Sequence, residues 1–588
     1  MIWSICFFAA LAVLVLCGVL LGLIRKGRIA ASGAFRPFNI LFAGVVVAAI
    51  IIFIPIYSGH PHEGGFFVTL LLSLHYMLRL FVIDGELTSM VDALSGIPEW
   101  LNIPYFLLSS LLFFSAPMIT FGFVLSFCKN AAATWKYLLN YRRDLYAFSH
   151  LNEKSVTLAE SIRETHGRCL FVFCDVDPDR MDELFERAKQ LNASCFSKDL
   201  TALKLHKHSK NSHIYIFAIG EDESENVDRA YSIVKEYGDR SNMDLYVVSA
   251  QPKAEALLGV FSDTGMHLHR VNEVRSFLYN ELYQNGFHLF ADAQEQDGLR
   301  QIGAVIVGLK PYGYEMAKTL PWFCQMDGYR VQIHAFDDEP EAEHRFRAAC
   351  PELLDDAHNG KFDDDGEAQY LLCVEAGVDY ESDRLLQSIE ALDPVTYTFI
   401  DTGDDARNVR LALRLRILYE RMGIHPRIVA ILRNPNDAEM LAHVRDYSGN
   451  EYDIHFAGDS KACYCADVIL HSELEQAALR RHLKWGSEQS FWMYEHNYRS
   501  SMASAIHSRM KRLCGMPGAD LPKEERSEAQ KLRLRKLEHR RWNAYTRSEG
   551  FVYSGSTEKS SRNNLGKMHN CLVTFDLLSE ADRPKDDD

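Results

Sequence analysis

Within the stretch Ile302–Glu339, the residues Gly308, Lys310, Gly313, Asp337 and Asp338 have types and spacing suited to a phosphorylated ligand. Gly308 and Gly313 bracket a tight turn of the G-x-x-x-x-G kind, where helix-start amides can approach an anion. Asp337 and Asp338 close the next apolar run, where a carboxylate can accept from a ribose diol. Lys310 stands where a dinucleotide fingerprint has its second glycine. Its side chain either obstructs a pyrophosphate or offers it a cation.

Such chemistry requires a strand, a turn, a helix and a second strand in sequence. Ala304–Val307 reads as a buried strand, Tyr314–Cys324 has helical apolar spacing, and Val331–Phe336 reads as the second strand. Further strands are expected at Tyr370–Val374, Tyr397–Ile400, Ile428–Leu432 and from Ile454, with a helix over Arg410–Arg421. Asp363–Asp365 reads as part of a solvated loop. Thr402, Gly403 and Asp404 follow the fourth strand and would line the opposite edge of a crevice at the point where strand order reverses.

The preceding segment alternates in the same way. Strands are expected at Cys169–Phe173, His213–Ile219 and Leu245–Val248, with helices at Met181–Leu191, Asp228–Glu236 and Lys253–Val260, which argues for a parallel α/β sheet. The turn Cys174–Asp177 after its first expected strand has no glycine. An internal repeat relates IYIFAIGEDESENVDRAYSIVKEY (214–237) to TYTFIDTGDDARNVRLALRLRILYE (396–420). Gly220, Glu221 and Asn226 match Gly403, Asp404 and Asn408 with one residue of slippage, and QPKAEAL (251–257) parallels NPNDAEML (434–441). The expectation is two Rossmann-like units: a degenerate one over 167–290 and a better preserved one over 300–475.

The glycine turn, the acidic second-strand end and the G-D-D-x-x-N-V turn together resemble the nucleotide-binding domain of potassium-uptake regulators, the TrkA-N or RCK type. The resemblance implies that Gly308 and Gly313 hold the phosphates of NAD(H) or an adenine nucleotide. It implies that Asp337 or Asp338 holds a ribose. The departure at Lys310 favours an anionic nucleotide other than plain NAD, beside the alternative of a fold that binds nothing.

The segment 1–127 has a different character. Ile2–Ile24 carries no charge and is long enough to cross a bilayer; its length and lack of a basic start separate it from a signal peptide. Phe38–Tyr57 and Pro104–Phe127 are further uncharged spans. Phe66–Ile83 is short and carries His75 and Arg79, candidates for a pore or gate; Arg79 could equally snorkel or pair with Asp84 or Glu86. Arg25, Lys26, Arg28 and Arg36 in the first loop, and Lys129, Lys136, Arg142 and Arg143 after the last span, both belong in the cytoplasm by charge. That leaves two topologies open: three spans with Phe66–Ile83 re-entrant, or four spans against the charge rule. No potassium-filter sequence of the T-V-G-Y-G kind is present. An amphipathic helical linker is expected over 128–166.

In 486–588, long helices are expected at Ser487–Cys514 and Glu524–Gly550. Glu538, His539, Trp542 and Asn543, then Gly550 and Gly555, then His569, Leu572, Val573, Asp576 and Leu578 resemble the ryanodine-receptor-type (RyR) domain. Phe551, Asn570 and Thr574 depart from its pattern. By that resemblance His539, Trp542 and Asn543 are ligand candidates; by their helical spacing they are equally core residues.

Composition limits the classes. A net charge of −16 speaks against general nucleic-acid binding, and 13 scattered cysteines without a C-x-x-C pair fit reduced thiols. Cys463 and Cys465 form only a C-x-C, and no metal site is expected. There is no G-x-S-x-G, P-loop or H-E-x-x-H, and nothing in the sequence fixes acid-base candidates for a dehydrogenase such as His334 or His425. The expectation is therefore a non-enzymatic, multi-pass protein of a bacterial inner membrane, oligomeric, with its C-terminal domains in the cytoplasm. A nucleotide or nucleotide-derived signal would act on the membrane part, as in anti-phage and stress-signalling effectors to which such architectures are similar. A regulator of a separate ion transporter and an NAD(P)-dependent membrane oxidoreductase are the alternatives.

Overall fold

A computed structural model describes residues 2–25, 37–58, 65–81, 97, 99–167, 169–177, 182–203, 205, 208–209, 211–251, 254, 265–362, 369–434, 441 and 445–583. The chain forms two compact units, Met1–Leu138 and Leu139–Asp588.

The first unit contains helices Ile2–Arg25, Pro37–Ser58 and Gly65–Phe81, and most of the helix Glu99–Leu139. Ala48, Ala49, Ile52 and Phe53 pack against Leu101, Tyr105, Leu108 and Leu112. The opposite faces stay apolar and exposed, as at Val15, Leu16, Leu107, Leu111 and Phe114. An unpartnered apolar surface of this kind suits lipid better than water.

Among the described residues, two helical segments are long and apolar enough to cross a membrane, Ile2–Leu21 and Glu99–Met118. This corrects the expected three or four spans. The Pro37–Ser58 helix has only a shorter apolar stretch, Ile40–Pro55. The Gly65–Phe81 helix has 17 residues, with Arg79 in its last turn. Lys26, Arg28, Arg36 and most of Asp84–Trp100, on which the topology expectations rest, lie outside the described residues.

The second unit holds two parallel sheets. The first has β1 (Leu145–Phe148), β2 (Leu170–Phe173), β3 (Ser194–Cys195), β4 (Ile214–Ala218), β5 (Met243–Val248) and β6 (His267–Val271), in the order β3-β2-β1-β4-β5-β6. The second has β8 (Leu299–Val307), β9 (Tyr329–Asp337), β10 (Tyr370–Ala376), β11 (Tyr397–Ile400), β12 (Arg427–Ile431) and β13 (Ile454–Ala457), in the order β10-β9-β8-β11-β12-β13. A short β7 (Gln294–Gln296) forms a hairpin onto β8. Both sheets thus have the doubly wound order in which the third, second and first strands precede the fourth, fifth and sixth.

The linker expectation over 128–166 needs correction. The helix Glu99–Leu139 ends, and Leu145–Phe148 forms a strand buried at every position, paired with both β2 and β4. A helix, Glu153–Thr165, follows with an Asn152 capping box. The first α/β unit therefore begins at its central strand, before the expected boundary at 167. Its first turn is Ser149–Asn152, which has no glycine either. All of the expected Lys253–Val260 helix but Ala254, Asp363–Asp365, and most of the 251–257 and 434–441 pair lie outside the described residues.

The C-terminal part has helices Glu473–His482, Glu488–Met493, Glu495–Leu513 and Glu528–Ser548, and a two-stranded parallel pair, β14 (Val552–Tyr553) and β15 (Met568–His569). The helix expected over Ser487–Cys514 is interrupted at Tyr494, which is extended. One continuous core runs from Phe148 in the first sheet through Trp322 to Leu537 and Tyr545 in the last long helix. Trp322 is fully buried between the rings of Tyr279 and Tyr545.

Candidate functional site

The crevice lies at the carboxyl ends of β8, β9 and β11, where the order of the second sheet reverses. Gly308 ends β8 with φ +93°, and a methyl group there would lie 2.0 Å from the Asp401 carbonyl oxygen. A methyl on Gly313 would lie 1.9 Å from the Gly308 carbonyl oxygen. The glycines therefore serve the close packing of turn, helix and β11. Pro311 opens the helix Pro311–Phe323, where its missing N–H costs nothing.

The helix start is already occupied. Asp401, fully buried at the end of β11, accepts from the backbone N–H of Tyr312 (2.8 Å) and of Gly313 (3.1 Å) through Oδ2. Its Oδ1 accepts from the Gly403 N–H at 3.3 Å. Burial pushes the Asp401 carboxyl up, and the amides of Gly313 and Tyr312 oppose that shift. A side-chain carboxylate thus sits where helix amides would meet a phosphate. The sequence reading missed Asp401.

Asp337 is equally engaged. It is buried and accepts from the Leu309 N–H (2.6 Å), the Glu339 N–H (2.9 Å) and the Tyr380 hydroxyl (3.0 Å). It holds the glycine turn against the end of β9. Asp338 is half-buried beside it and meets Arg407 at 3.4 Å.

Lys310 closes the crevice. Its Nζ lies 2.6 Å from Glu339, 3.2 Å from Asp338 and 3.5 Å from Asp337. Burial disfavours the Lys310 charge, but Glu339, Asp337 and Asp338 outweigh it and raise its pKa. Lys310 and Arg345 together lower the Glu339 carboxyl to about 2. The ligand oxygens of Asp337, Asp338 and Glu339 lie within 4.8 Å of one another, a spacing that could suit a cation. The Lys310 ammonium sits among them. Across the crevice, Gly403 has φ +81° and faces the Lys310 stem, 3.3 Å from where a methyl would be.

The β11 turn is fixed by Asn408. Its Oδ1 accepts from the Thr402 N–H (2.9 Å) and hydroxyl (2.7 Å), and its Nδ2 donates to the Ile431 carbonyl (2.8 Å). Asp404 caps the next helix by accepting from the Arg407 N–H at 2.7 Å. The first parallel sheet and its helices repeat this device. Asn226 accepts from the Gly220 N–H (2.6 Å) and donates to the Val248 carbonyl (3.0 Å), and Asp222 caps the helix Glu223–Tyr237. The structural register therefore pairs Gly220 with Thr402 and Asp222 with Asp404, which resolves the slippage in the repeat.

The C-terminal candidates lie elsewhere in the second unit. His539 Nε2 and Asn543 Nδ2 both contact the Val573 carbonyl, at 2.8 and 2.9 Å. They clamp the segment after β15 to the helix Glu528–Ser548. Trp542 is half-buried, stacked near His539 and edge-on to His569. In the first unit of the chain, His75 is exposed and Arg79 half-buried.

A buried ion-pair network joins these regions. Arg275, in the helix Glu273–Asn285, meets Glu315 at 2.6 Å and Glu549 at 2.8 Å. Lys318 meets Glu315, and Arg499 meets Glu549 at 3.2 Å. The helix that starts at the glycine turn is thus tied to the ends of the C-terminal helices.

No protein-family model matches the chain, and no curated protein is similar enough to match it.

Proposed function

We propose that the chain is a membrane-anchored sensor-effector, in which a cytosolic nucleotide or nucleotide-derived signal bound by the α/β and C-terminal parts gates or perturbs the membrane helices. The observation that carries this reading is the crevice at the carboxyl edge of the second sheet. It has the turn, the helix amides and the cation of an anion site, and internal carboxylates fill each of them: Asp337 on the Leu309 amide of the turn, Asp401 on the helix amides, and Asp338 and Glu339 on Lys310. A phosphate group competes for the same partners. Binding would release Glu339 and Asp338 and favour a second arrangement of the turn, and only such a difference in affinity between two states can move the equilibrium.

Two features support transmission. The helix that leaves the turn bears Glu315 and Lys318 of the buried network that reaches Glu549. Residues 140–144 alone separate the helix Glu99–Leu139 from β1, the central strand of the first sheet. A short connection leaves little slack between a displaced strand and a membrane helix. In this reading the protein acts as an oligomer, and the C-terminal part, which resembles an RyR domain, couples the ligand or shares its site.

The test is reconstitution of the full chain in liposomes, with ion flux followed across a nucleotide panel. Ligand-dependent flux is expected, and its loss in Lys310→Gln. If no nucleotide of the panel opens a pathway in the protein alone, the effector reading falls and regulation of a separate transporter takes its place. Turnover of a nicotinamide cofactor would instead establish the oxidoreductase.

A further inference from the structure

The face of the second sheet under the helix Glu273–Asn285 carries a cavity of about 130 Å³. Two cross-strand rows build its sheet side. Tyr397 of β11 pairs with Arg427 of β12, and Phe399 pairs with Val429, which pairs in turn with His455 of β13. Alternate residues of a strand share a face, so both rows reach the cavity. The helix meets them with Phe277, Leu278, Glu281 and Leu282, at the i, i+1, i+4 and i+5 spacing of one helical face. Met316, from the helix Pro311–Phe323, also lines it. His288 and His455 line it and are exposed, so the cavity is reached from solvent. Each lining residue sits inside a continuous run of described residues.

One guanidinium and one carboxylate line this otherwise largely apolar space, Arg427 and Glu281. Among the described residues no ion pair joins them. Both act on the same phenol: burial pushes Tyr397 up, Glu281 adds to the rise and Arg427 opposes it. Tyr397 is 7% exposed, and neither its hydroxyl nor the Arg427 guanidinium makes a side-chain hydrogen bond to a described residue. Glu281 is half-buried, and its Oε1 accepts from Asn285 at 3.0 Å and lies 3.8 Å from His455. Its Oε2 has no partner among the described residues. The gap itself is costly, because apolar walls without filling atoms forfeit dispersion contacts. Apolar cavities of about 150 Å³ admit a benzene ring.

We propose that this cavity binds a free α-amino acid with an apolar side chain of about the size of leucine, methionine or phenylalanine. Arg427 and the Tyr397 hydroxyl take its carboxylate, Glu281 takes its ammonium, and its side chain fills the space between Phe277, Leu282, Met316, Phe399 and Val429. A guanidinium offers a carboxylate paired donors in a fixed plane. A ligand with a carboxylate alone would meet Glu281, and one with an amine alone would meet Arg427; a ligand with both charges satisfies both. At about 130 Å³ the cavity lies below the range of pockets for larger ligands, which sets it apart from a nucleotide site. Tyr397 and Arg427 are the first residues of β11 and β12, so the cavity lies at the opposite strand ends from the crevice and stands or falls without it. The helix that covers it also bears Arg275 of the buried network, so a bound amino acid would hold that helix against the sheet.

The experiment is isothermal titration of the full chain in detergent with L-leucine, L-methionine and L-phenylalanine. Saturable binding of at least one is expected. For the tightest of these, the analogue without the ammonium, the analogue without the carboxylate, and glycine, which lacks the side chain, should each bind about tenfold or more weakly. For leucine those analogues are 4-methylpentanoate and 3-methylbutylamine. Arg427→Gln and Glu281→Gln should each weaken binding about tenfold or more, and Val429→Phe, which fills the gap, should abolish it. The proposal is overturned if none of the amino acids binds, if an analogue lacking either charge binds as tightly, or if binding survives Arg427→Gln and Glu281→Gln. Should those variants fail to fold, photolabelling of the wild-type chain with the diazirine analogue of leucine decides. Label on the peptides carrying Leu282, Met316 or Phe399 supports the site, and label confined elsewhere overturns it.

Discussion

Asp401 has the largest structural role of any single residue in the crevice. Its carboxylate replaces an external anion at the start of the helix Pro311–Phe323 and also fixes the Gly403 amide. Asp401→Ala leaves three backbone donors unsatisfied and is expected to cost about 3 kcal/mol in urea unfolding. Asp401→Asn, which keeps one acceptor, should cost less; equal losses would show that the carboxylate is not what holds the turn. Glu475 is a second residue with a distinct signature. Burial raises its carboxyl to about 7, against a 2.9 Å hydrogen bond from the Tyr498 hydroxyl. A folded-state pKa above the unfolded value means stability is full below about 4.5 and declines as pH rises through 7. Glu475→Gln should therefore flatten the fall in Tm between pH 5 and about 8. An unchanged slope would place the titration elsewhere. Asp401 illustrates a limit of sequence reading. An acid directly after the apolar run Tyr397–Ile400 is visible, but its amide partners lie 88 and 89 positions earlier in the chain. Nothing local signals that pairing.

The turn, the helix and the strand ends are where sequence and structure agree most. Tyr397–Ile400 forms β11 as its apolar run suggests, and the glycine turn of the second unit sits between a strand and a helix as its spacing requires. Those elements are legible because each has a breaker at its boundary. β1 was not legible. Its four residues follow a helix without a glycine or proline, and a strand buried on both faces has no alternation to separate it from helix. The repeat was legible in kind, while its register required the Asn226 and Asn408 hydrogen bonds. At this scale the glycines make a sharp prediction. Gly308→Ala needs an L-residue at φ +93° with a methyl 2.0 Å from a backbone oxygen, so strain of about 3 kcal/mol is expected. Gly328 also has positive φ, but a methyl there meets nothing within 4 Å, so its alanine variant should lose only about 1 kcal/mol. Denaturant midpoints of the two variants give the comparison, and similar midpoints would remove the packing argument.

Across the second unit, the buried network ties helices of the α/β part to those of the C-terminal part. Arg275, Glu315, Lys318, Arg499 and Glu549 come from four separate helices or helix ends. Burial opposes the charge on Glu549, but Arg275, Lys318 and Arg499 hold its carboxyl well below the usual range. A depressed carboxyl contributes stability above its unfolded value, near 4.5, that is lost as pH falls. Glu549→Gln should cost about 3–5 kcal/mol at neutral pH, since it leaves buried guanidinium groups short of a partner. The loss should shrink below about pH 4. A pH-independent loss, measured by chemical unfolding, would assign it to packing alone. None of this network could be read from the sequence, because its members are spread from Arg275 to Glu549 and each looks like an ordinary helical charge.

The carboxylate at the helix start would also set a threshold for any anion that binds there. A group tethered 2.8 Å from its donors is an intramolecular competitor that an incoming anion must displace. If the crevice opens about 1% of the time, an incoming anion binds about a hundredfold more weakly than its contacts alone would allow. In the proposed sensing role, such a crevice would ignore resting levels of that anion and answer only to a surge. Weakening the tether, not improving the ligand contacts, is what would make it respond earlier.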